Sequence, residues 1–119
     1  MDYKISVSIM SGAEDGNMLE YSLMRGDGRK TATGWVLTIG RHDENDIYLR
    51  HDLYTSRYHA EIICDRGAWY LRDLDSTNGT FFENPDDYFN ERRIYGTHSL
   101  TENQLFRIGR TWLQFESIE

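Results

Sequence analysis

Two short polar clusters place an arginine beside small residues, in a pattern that suits the binding of an anion. Gly40-Arg41 follows the apolar run Trp35-Val36-Leu37-Thr38-Ile39, and Ser56-Arg57-Tyr58-His59 begins fifteen residues after Arg41. An arginine at the end of a strand, beside a glycine that admits close backbone approach, can grip an oxyanion with two parallel N–H donors. The Ser56 hydroxyl and the Arg57 guanidinium can likewise donate to phosphate oxygens. Taken singly, Arg41 also fits a surface salt bridge, and His59 fits a histidine that fixes a loop through backbone hydrogen bonds.

A third polar cluster runs from Asp73 to Thr80 and contains Ser76-Thr77-Asn78-Gly79. Asn-Gly between apolar segments indicates a tight turn, because both residue types accept positive φ. Such a turn exposes backbone N–H groups and the asparagine amide, which can bond the main chain of an extended peptide. By itself the cluster predicts only a hairpin, with Asp73 and Asp75 as solvated turn carboxylates.

Catalysis is not indicated by the remaining residues. The four histidines lack metal-ligand spacing, and no nucleophile elbow, Walker loop or dinucleotide fingerprint occurs. Cys64 has no second cysteine to pair with, and its place in Ile62-Ile63-Cys64 predicts a small buried thiol. The sequence therefore predicts neither an enzyme nor a metal or cofactor site.

Charge and composition narrow the classes of partner. The chain of 119 residues has 20 acidic against 13 basic side chains, a formal net charge of -7. This balance argues against broad nucleic-acid or anionic-membrane binding, which needs a basic surface, but it leaves room for one small anion site. The single cysteine and the absence of a signal-like start or a long apolar run predict an intracellular protein of the cytoplasm, with the nucleus left open.

Alternating apolar and polar residues predict β-strands along the whole chain. Inward-facing sets are predicted at Ile5, Val7 and Ile9, at Trp69 and Leu71, and at Leu113 and Phe115. The breaks between strands are Gly12–Asn17, Arg25–Gly34, Arg41–Asp46, Asp65–Gly67, Asp75–Gly79, Glu83–Asn90 and Thr101–Asn103. No helical stripe interrupts this pattern. It predicts an all-β antiparallel sandwich of about eleven short strands, with residues 1–119 as a single domain.

Together, the three clusters closely resemble the forkhead-associated (FHA) domain family. The resemblance continues between them, at Asp46–Leu49, Ala60–Ile62, Trp69–Leu74, Asn90–Ile94 and Phe106–Gly109, and covers about residues 4 to 116. It implies a β-sandwich whose apical loops bind phosphothreonine in an extended peptide. The implied partner is a phosphothreonine-containing protein or peptide in Ser/Thr-kinase signalling, recognised by charge-assisted hydrogen bonds.

The resemblance also implies a role for each residue of the three clusters. Arg41 and Ser56 would hold the phosphate, with Arg57 and Thr77 as assisting donors. Asn78 would hydrogen-bond the peptide backbone just beyond the phosphothreonine. Loop-shaping positions that do not touch the ligand would be Gly40, His59 and Gly79.

Two segments depart from the compact family pattern, and two other functions stay open. About seven residues, Glu83–Phe89, are inserted before Asn90 and form a candidate second protein surface; Arg25–Gly34 lengthens another hairpin. One alternative function is a phosphorylation-independent scaffold that assembles through a side face of the sandwich. The other is a sugar-binding or hydrolytic sandwich, for which Trp112 and Tyr70 are the exposed aromatic candidates.

Overall fold

The computed structural model describes residues 3–12, 14–84, 86–87 and 90–118. Within these residues no helix occurs, and so none is long and apolar enough to cross a membrane. The strands of this part of the chain are β1 (Lys4–Ile9), β2 (Met18–Ser22), β3 (Arg29–Lys30), β4 (Gly34–Gly40), β5 (Ile47–Tyr48), β6 (Ala60–Asp65), β7 (Ala68–Asp73), β8 (Thr80–Phe82), β9 (Arg92–Ile94), β10 (Thr97–Ser99), β11 (Leu105–Ile108) and β12 (Thr111–Ser117).

The strands form two sheets, which confirms the predicted sandwich. One sheet has the order β2-β1-β12-β11-β8-β9, and the other has the order β10-β7-β6-β4-β3. All of these neighbours are antiparallel; β5 adds one short parallel pairing to β4. The segment Arg25–Gly34 is not wholly a break, because Arg29 and Lys30 pair with Val36 and Trp35. The turn that allows this pairing is closed by a hydrogen bond from Thr31 N to Gly34 O of 2.9 Å.

Side chains from both sheets pack into one apolar core. Ile5, Val7 and Ile9 are buried, as the alternation predicts. Trp35 is fully buried, stacks on Tyr3 with ring centroids 6.1 Å apart and meets the edge of Trp69 at 6.3 Å. Removal of this apolar surface from water is the main driving force for closing the sandwich.

Cys64 is buried on β6, which confirms the prediction of a buried thiol. Burial raises the pKa of this thiol, so it is a poor nucleophile. Trp112 and Tyr70 are half-buried rather than exposed. Their cross-strand neighbours, Arg107 and Ile63, flank them on the same sheet face.

The inserted segment Glu83–Phe89 follows β8. Glu83 N donates to Leu105 O at 3.3 Å, and Asp87 N donates to Asn84 O at 3.1 Å. The candidate second protein surface lies partly outside the described residues, since Pro85, Tyr88 and Phe89 are not among them.

Candidate functional site

Three loops leave the same end of one sheet because of strand register. Ile39, Ala60 and Asp73 stand in one row across β4, β6 and β7. The first loop (residues 41–46) follows β4, the second loop (residues 49–59) precedes β6, and the third loop (residues 74–79) follows β7. The three polar clusters of the sequence therefore meet at one end of the sandwich.

Gly40 lets the first and second loops approach each other closely. A Cβ atom at this position would lie 2.1 Å from the Arg57 carbonyl oxygen and 2.7 Å from Asn45 Nδ2. The close approach permits hydrogen bonds from Arg41 N to Ser56 O at 3.0 Å and from His42 N to Arg57 O at 3.2 Å. Any side chain at residue 40 would push the two loops apart.

Asn45 secures the same junction from inside the first loop. It is buried, and its Nδ2 donates to His42 O at 2.8 Å and to Arg57 O at 2.7 Å. From sequence, Asn45 is only one member of a polar run and receives no role. The missing information is burial, which the sequence pattern of a loop does not carry.

His59 joins the second loop to the third. Its imidazole is fully buried; Nδ1 accepts from Ser56 N at 3.0 Å, and Nε2 lies 2.9 Å from Gly79 O. A backbone N–H can only donate and a carbonyl can only accept, so the ring is neutral with its proton on Nε2. Burial holds the pKa of His59 below its usual value, which favours this neutral form.

Asp73 organises the third loop, so the prediction of a solvated turn carboxylate is wrong for this residue. Its Oδ1 accepts from Ser76 Oγ at 2.5 Å and from Thr80 Oγ1 at 2.8 Å, and its Oδ2 accepts from Ser76 N at 3.2 Å. Ser76 is buried and its Oγ also accepts from Gly79 N at 3.1 Å. The spacing of Asp73, Ser76 and Thr80 is the sequence signal that could have indicated this network.

Ser56, Thr77 and Asn78 are brought together where the second and third loops touch. Thr77 N donates to Ser56 Oγ at 3.2 Å, and Asn78 Nδ2 donates to Tyr54 O at 2.9 Å. Because Ser56 Oγ accepts this bond, its hydroxyl hydrogen is available to an external acceptor. Thr77 and Asn78 are exposed, so both can meet a ligand at the surface.

Arg41 and Arg57 supply the positive charge of the site. Arg41 is half-buried and its Nε donates to Thr55 O at 3.2 Å, which fixes the plane of the guanidinium. Arg57 is exposed on the adjoining loop. Among the described residues neither arginine forms an ion pair, although the chain carries a net charge of -7. Two unpaired guanidiniums beside a serine hydroxyl form a site suited to an anion.

Comparison with known proteins places this arrangement in a family. The FHA domain family model matches residues 37–109, a segment that contains all three loops. FhaB of Mycobacterium tuberculosis, an FHA domain-containing protein, is 38% identical over 55 residues, covering 46% of this chain and 35% of FhaB. The chain thus spans about a third of the length of such curated relatives.

Solved structures share the fold. The FHA domain of CT664 protein from Chlamydia trachomatis superposes with a TM-score of 0.71 at 23% identity, covering 95% of this chain and 96% of that one. A structure from an analysis of phosphothreonine-dependent FHA domain interactions superposes with a TM-score of 0.68 at 23% identity, covering 95% of each chain.

Proposed function

The chain belongs to the FHA domain family, and from this membership we propose that it binds phosphothreonine in an extended peptide. In this role it is a phosphorylation-dependent protein-interaction module of Ser/Thr-kinase signalling. A structure with the same fold comes from work on phosphothreonine-dependent FHA domain interactions, which supports this proposal. The alternative, a scaffold that assembles regardless of phosphorylation, has no use for an anion site at the loop end.

The observation that carries the proposal is the state of Arg41. Its Nε is held by Thr55 O, while its two terminal nitrogens have no hydrogen bond within the described part of the chain. A guanidinium fixed in this way loses little side-chain entropy when it binds. We assign Arg41 and Ser56 to the phosphate oxygens.

Arg57 and Thr77 are assigned as assisting donors at the edge of the same site. Phosphothreonine carries a charge of about -1.5 to -2 at neutral pH and has three acceptor oxygens. The two arginines balance this charge, and together with the hydroxyls of Ser56 and Thr77 they supply at least one donor for each of the three oxygens. The net negative charge of the whole chain does not prevent this binding, because the two guanidiniums would act on the phosphate at hydrogen-bond distance.

Asn78 is assigned to the peptide main chain. One N–H of its amide is held by Tyr54 O, which leaves its Oδ1 and second N–H for a peptide N–H and carbonyl. This side chain can therefore bond an extended segment just beyond the phosphothreonine. Gly40, His59 and Gly79 shape the loops and do not touch the ligand.

An oriented phosphothreonine peptide library, captured on the chain and sequenced, tests this function. We expect capture of phosphorylated peptides with a defined sequence preference, and loss of capture by the Arg41→Ala variant. Equal capture of phosphorylated and unphosphorylated libraries would contradict the proposal and favour the scaffold alternative.

A further inference from the structure

The outer face of β8, β9 and β11 carries an arginine whose guanidinium has no polar partner among the described residues. Strand register places Arg107, Phe81 and Arg93 in one row across this face. Arg107 is paired with Glu91, whereas Arg93 is exposed and forms neither an ion pair nor a side-chain hydrogen bond in the described part of the chain. We propose that Arg93 binds a second anionic group of the phosphopeptide, a carboxylate or another phosphate on a residue close to the phosphothreonine. This inference rests on the proposed function and names the class of peptide that the site selects.

Two aromatic rings hold the Arg93 guanidinium in place. Its Cζ atom lies 5.9 Å from the centroid of the Phe81 ring and 5.1 Å from the centroid of the Tyr95 ring. Contacts of this kind attract the cation to the rings and leave its N–H donors unoccupied. Because the rings order the guanidinium before a ligand arrives, Arg93 loses less side-chain entropy when it binds an anion.

Gly79 allows the same guanidinium to lie against the third loop. A Cβ atom at residue 79 would lie 2.8 Å from Arg93 Nε and 3.0 Å from Arg93 Cζ, so a side chain there would displace the arginine. Gly79 directly follows Asn78, the residue assigned to the peptide main chain, and consecutive Cα atoms are about 3.8 Å apart. An extended peptide bonded by Asn78 therefore runs close to Arg93, and a side chain of a neighbouring peptide residue can reach the guanidinium.

The positive charge of Arg93 is not neutralised locally, and it acts on the loop end. The pKa of His59 is lowered by burial first and, as a smaller cause, by the charge of Arg93. Arg92, the preceding residue of β9, is also exposed, covers the Phe82 ring at 5.6 Å and has no ion pair within the described chain. Two adjacent cations without acidic partners create a local positive potential on a chain whose net charge is -7. An acidic group of the peptide is therefore attracted to this face.

The donor geometry of Arg93 fits an anion better than a neutral polar group. A guanidinium presents its N–H donors in pairs, and each pair matches two oxygens of one carboxylate or phosphate. A neutral side-chain amide offers a single acceptor oxygen and no charge, so it uses only part of this capacity. A carboxylate and a phosphate share the required arrangement of oxygens, and the phosphate carries the larger charge.

Titration of a phosphothreonine peptide series tests this site. Peptides of about nine residues carry phosphothreonine at the centre among alanines, and each other position is occupied in turn by Glu, Gln, phosphoserine or Ser. Every peptide is titrated calorimetrically with the whole chain at one ionic strength, because salt screens the attraction between exposed charges. We expect one position at which Glu binds about threefold or more tightly than Gln, and at which phosphoserine exceeds Ser by a larger factor. In Arg93→Ala and in Arg93→Gln both ratios fall towards one, while the all-alanine peptide binds as before.

Arg29→Ala is the matched control, because Arg29 is exposed on β3 of the other sheet and its loss removes the same charge. Both ratios should equal those of the unaltered chain. A preference for only one of the two anions upholds the site and identifies its ligand as a carboxylate or a phosphate. A flat profile, a preference that survives both Arg93 variants, or one that Arg29→Ala weakens equally would overturn the inference while leaving phosphothreonine binding intact. No binding of any phosphothreonine peptide would instead overturn the proposed function, and the inference with it.

Discussion

Two regions of the sandwich use arginine in opposite ways. On the outer face of β8 and β11, Arg107 donates through Nε to Glu91 Oε1 at 3.0 Å and lies 4.1 Å from the Phe81 ring centroid. Its terminal nitrogens bond Glu91 and Gly109 as well. At the loop end, the guanidinium of Arg41 has a single hydrogen bond, through Nε, among the described residues. A guanidinium whose N–H groups are bonded within the protein, such as that of Arg107, stabilises the fold. The guanidinium of Arg41 has one such bond, so its other N–H groups can bind a ligand.

The loop end reaches this state because most of its internal polar groups bond one another, although Asn45 Oδ1 is buried without a partner among the described residues. His59 bridges two loops, and Asn45 bonds the first loop to the second. Asp73 accepts two bonds from Ser76 in the third loop and one from Thr80 at the start of β8. This network stabilises the loops through their buried side chains. The donors that the loops expose at the surface are therefore free to bind a ligand. The contrast suggests variants that should affect stability alone or binding alone.

Removal of His59 should have the largest effect, and it should act on stability. His59→Ala leaves Ser56 N and Gly79 O without their buried partner, and each such loss costs about 1 to 3 kcal/mol. We expect the free energy of unfolding to fall by about 2 to 4 kcal/mol in denaturant titrations. The exposed His98 provides the control: His98→Ala should change the free energy of unfolding by less than about 0.5 kcal/mol.

Arg41→Ala should give the next largest effect, and it should act on binding. A charge-assisted bond contributes about 1.5 to 3 kcal/mol, so phosphopeptide affinity should fall about tenfold or more by calorimetry. The melting temperature should stay near that of the unaltered chain. An Arg41→Ala protein with unchanged affinity and a normal melting profile would remove Arg41 from the site.

Arg107→Ala should show the reverse pattern with a smaller effect. Loss of the Glu91 pair and of the contact with Phe81 should lower the free energy of unfolding by about 1 kcal/mol. Phosphopeptide affinity should not change, because the guanidinium of Arg107 is already bonded within the protein. A drop in affinity without a drop in stability would erase the distinction between the two regions.

The pKa of His59 makes stability depend on pH. Because its folded pKa lies below its unfolded value of about 6.5, the unfolded state takes up the proton first as pH falls. The contribution of His59 to the free energy of unfolding is therefore present above pH about 6.5 and is lost progressively as the pH falls below that value. Denaturant titrations from pH 7.5 to 5.5, compared between the unaltered chain and His59→Gln, isolate this contribution. Identical pH slopes for the two proteins would contradict it.

The sequence predicts the sandwich well because alternation records which face of a strand is buried. Ile5, Val7 and Ile9 show this directly. Gly79 has positive φ, 92°, but Asn78 does not, and the hairpin predicted from this cluster alone is wrong, because β7 and β8 belong to different sheets. The role of Asn45 is not predicted, because a polar side chain in a loop looks the same whether it is solvated or buried. The role of Asp73 is missed as well, although its spacing from Ser76 and Thr80 could have indicated it. The contact between Arg93 and Gly79 is also missed, since the two residues meet only through the pairing of β8 with β9.

The most direct test of the account is a calorimetric titration with one peptide in three forms, carrying phosphothreonine, phosphoserine or unmodified threonine. Measurements belong above pH about 7, where the phosphate is mostly dianionic. We expect the phosphothreonine form to bind several-fold more tightly than phosphoserine. Burial of the γ-methyl group is worth about 0.8 kcal/mol, and the stiffer χ1 of threonine lowers the ordering cost. The unmodified form should show no measurable binding. Equal affinities for phosphothreonine and phosphoserine would make Arg41, Ser56 and Arg57 a generic anion patch and contradict the account.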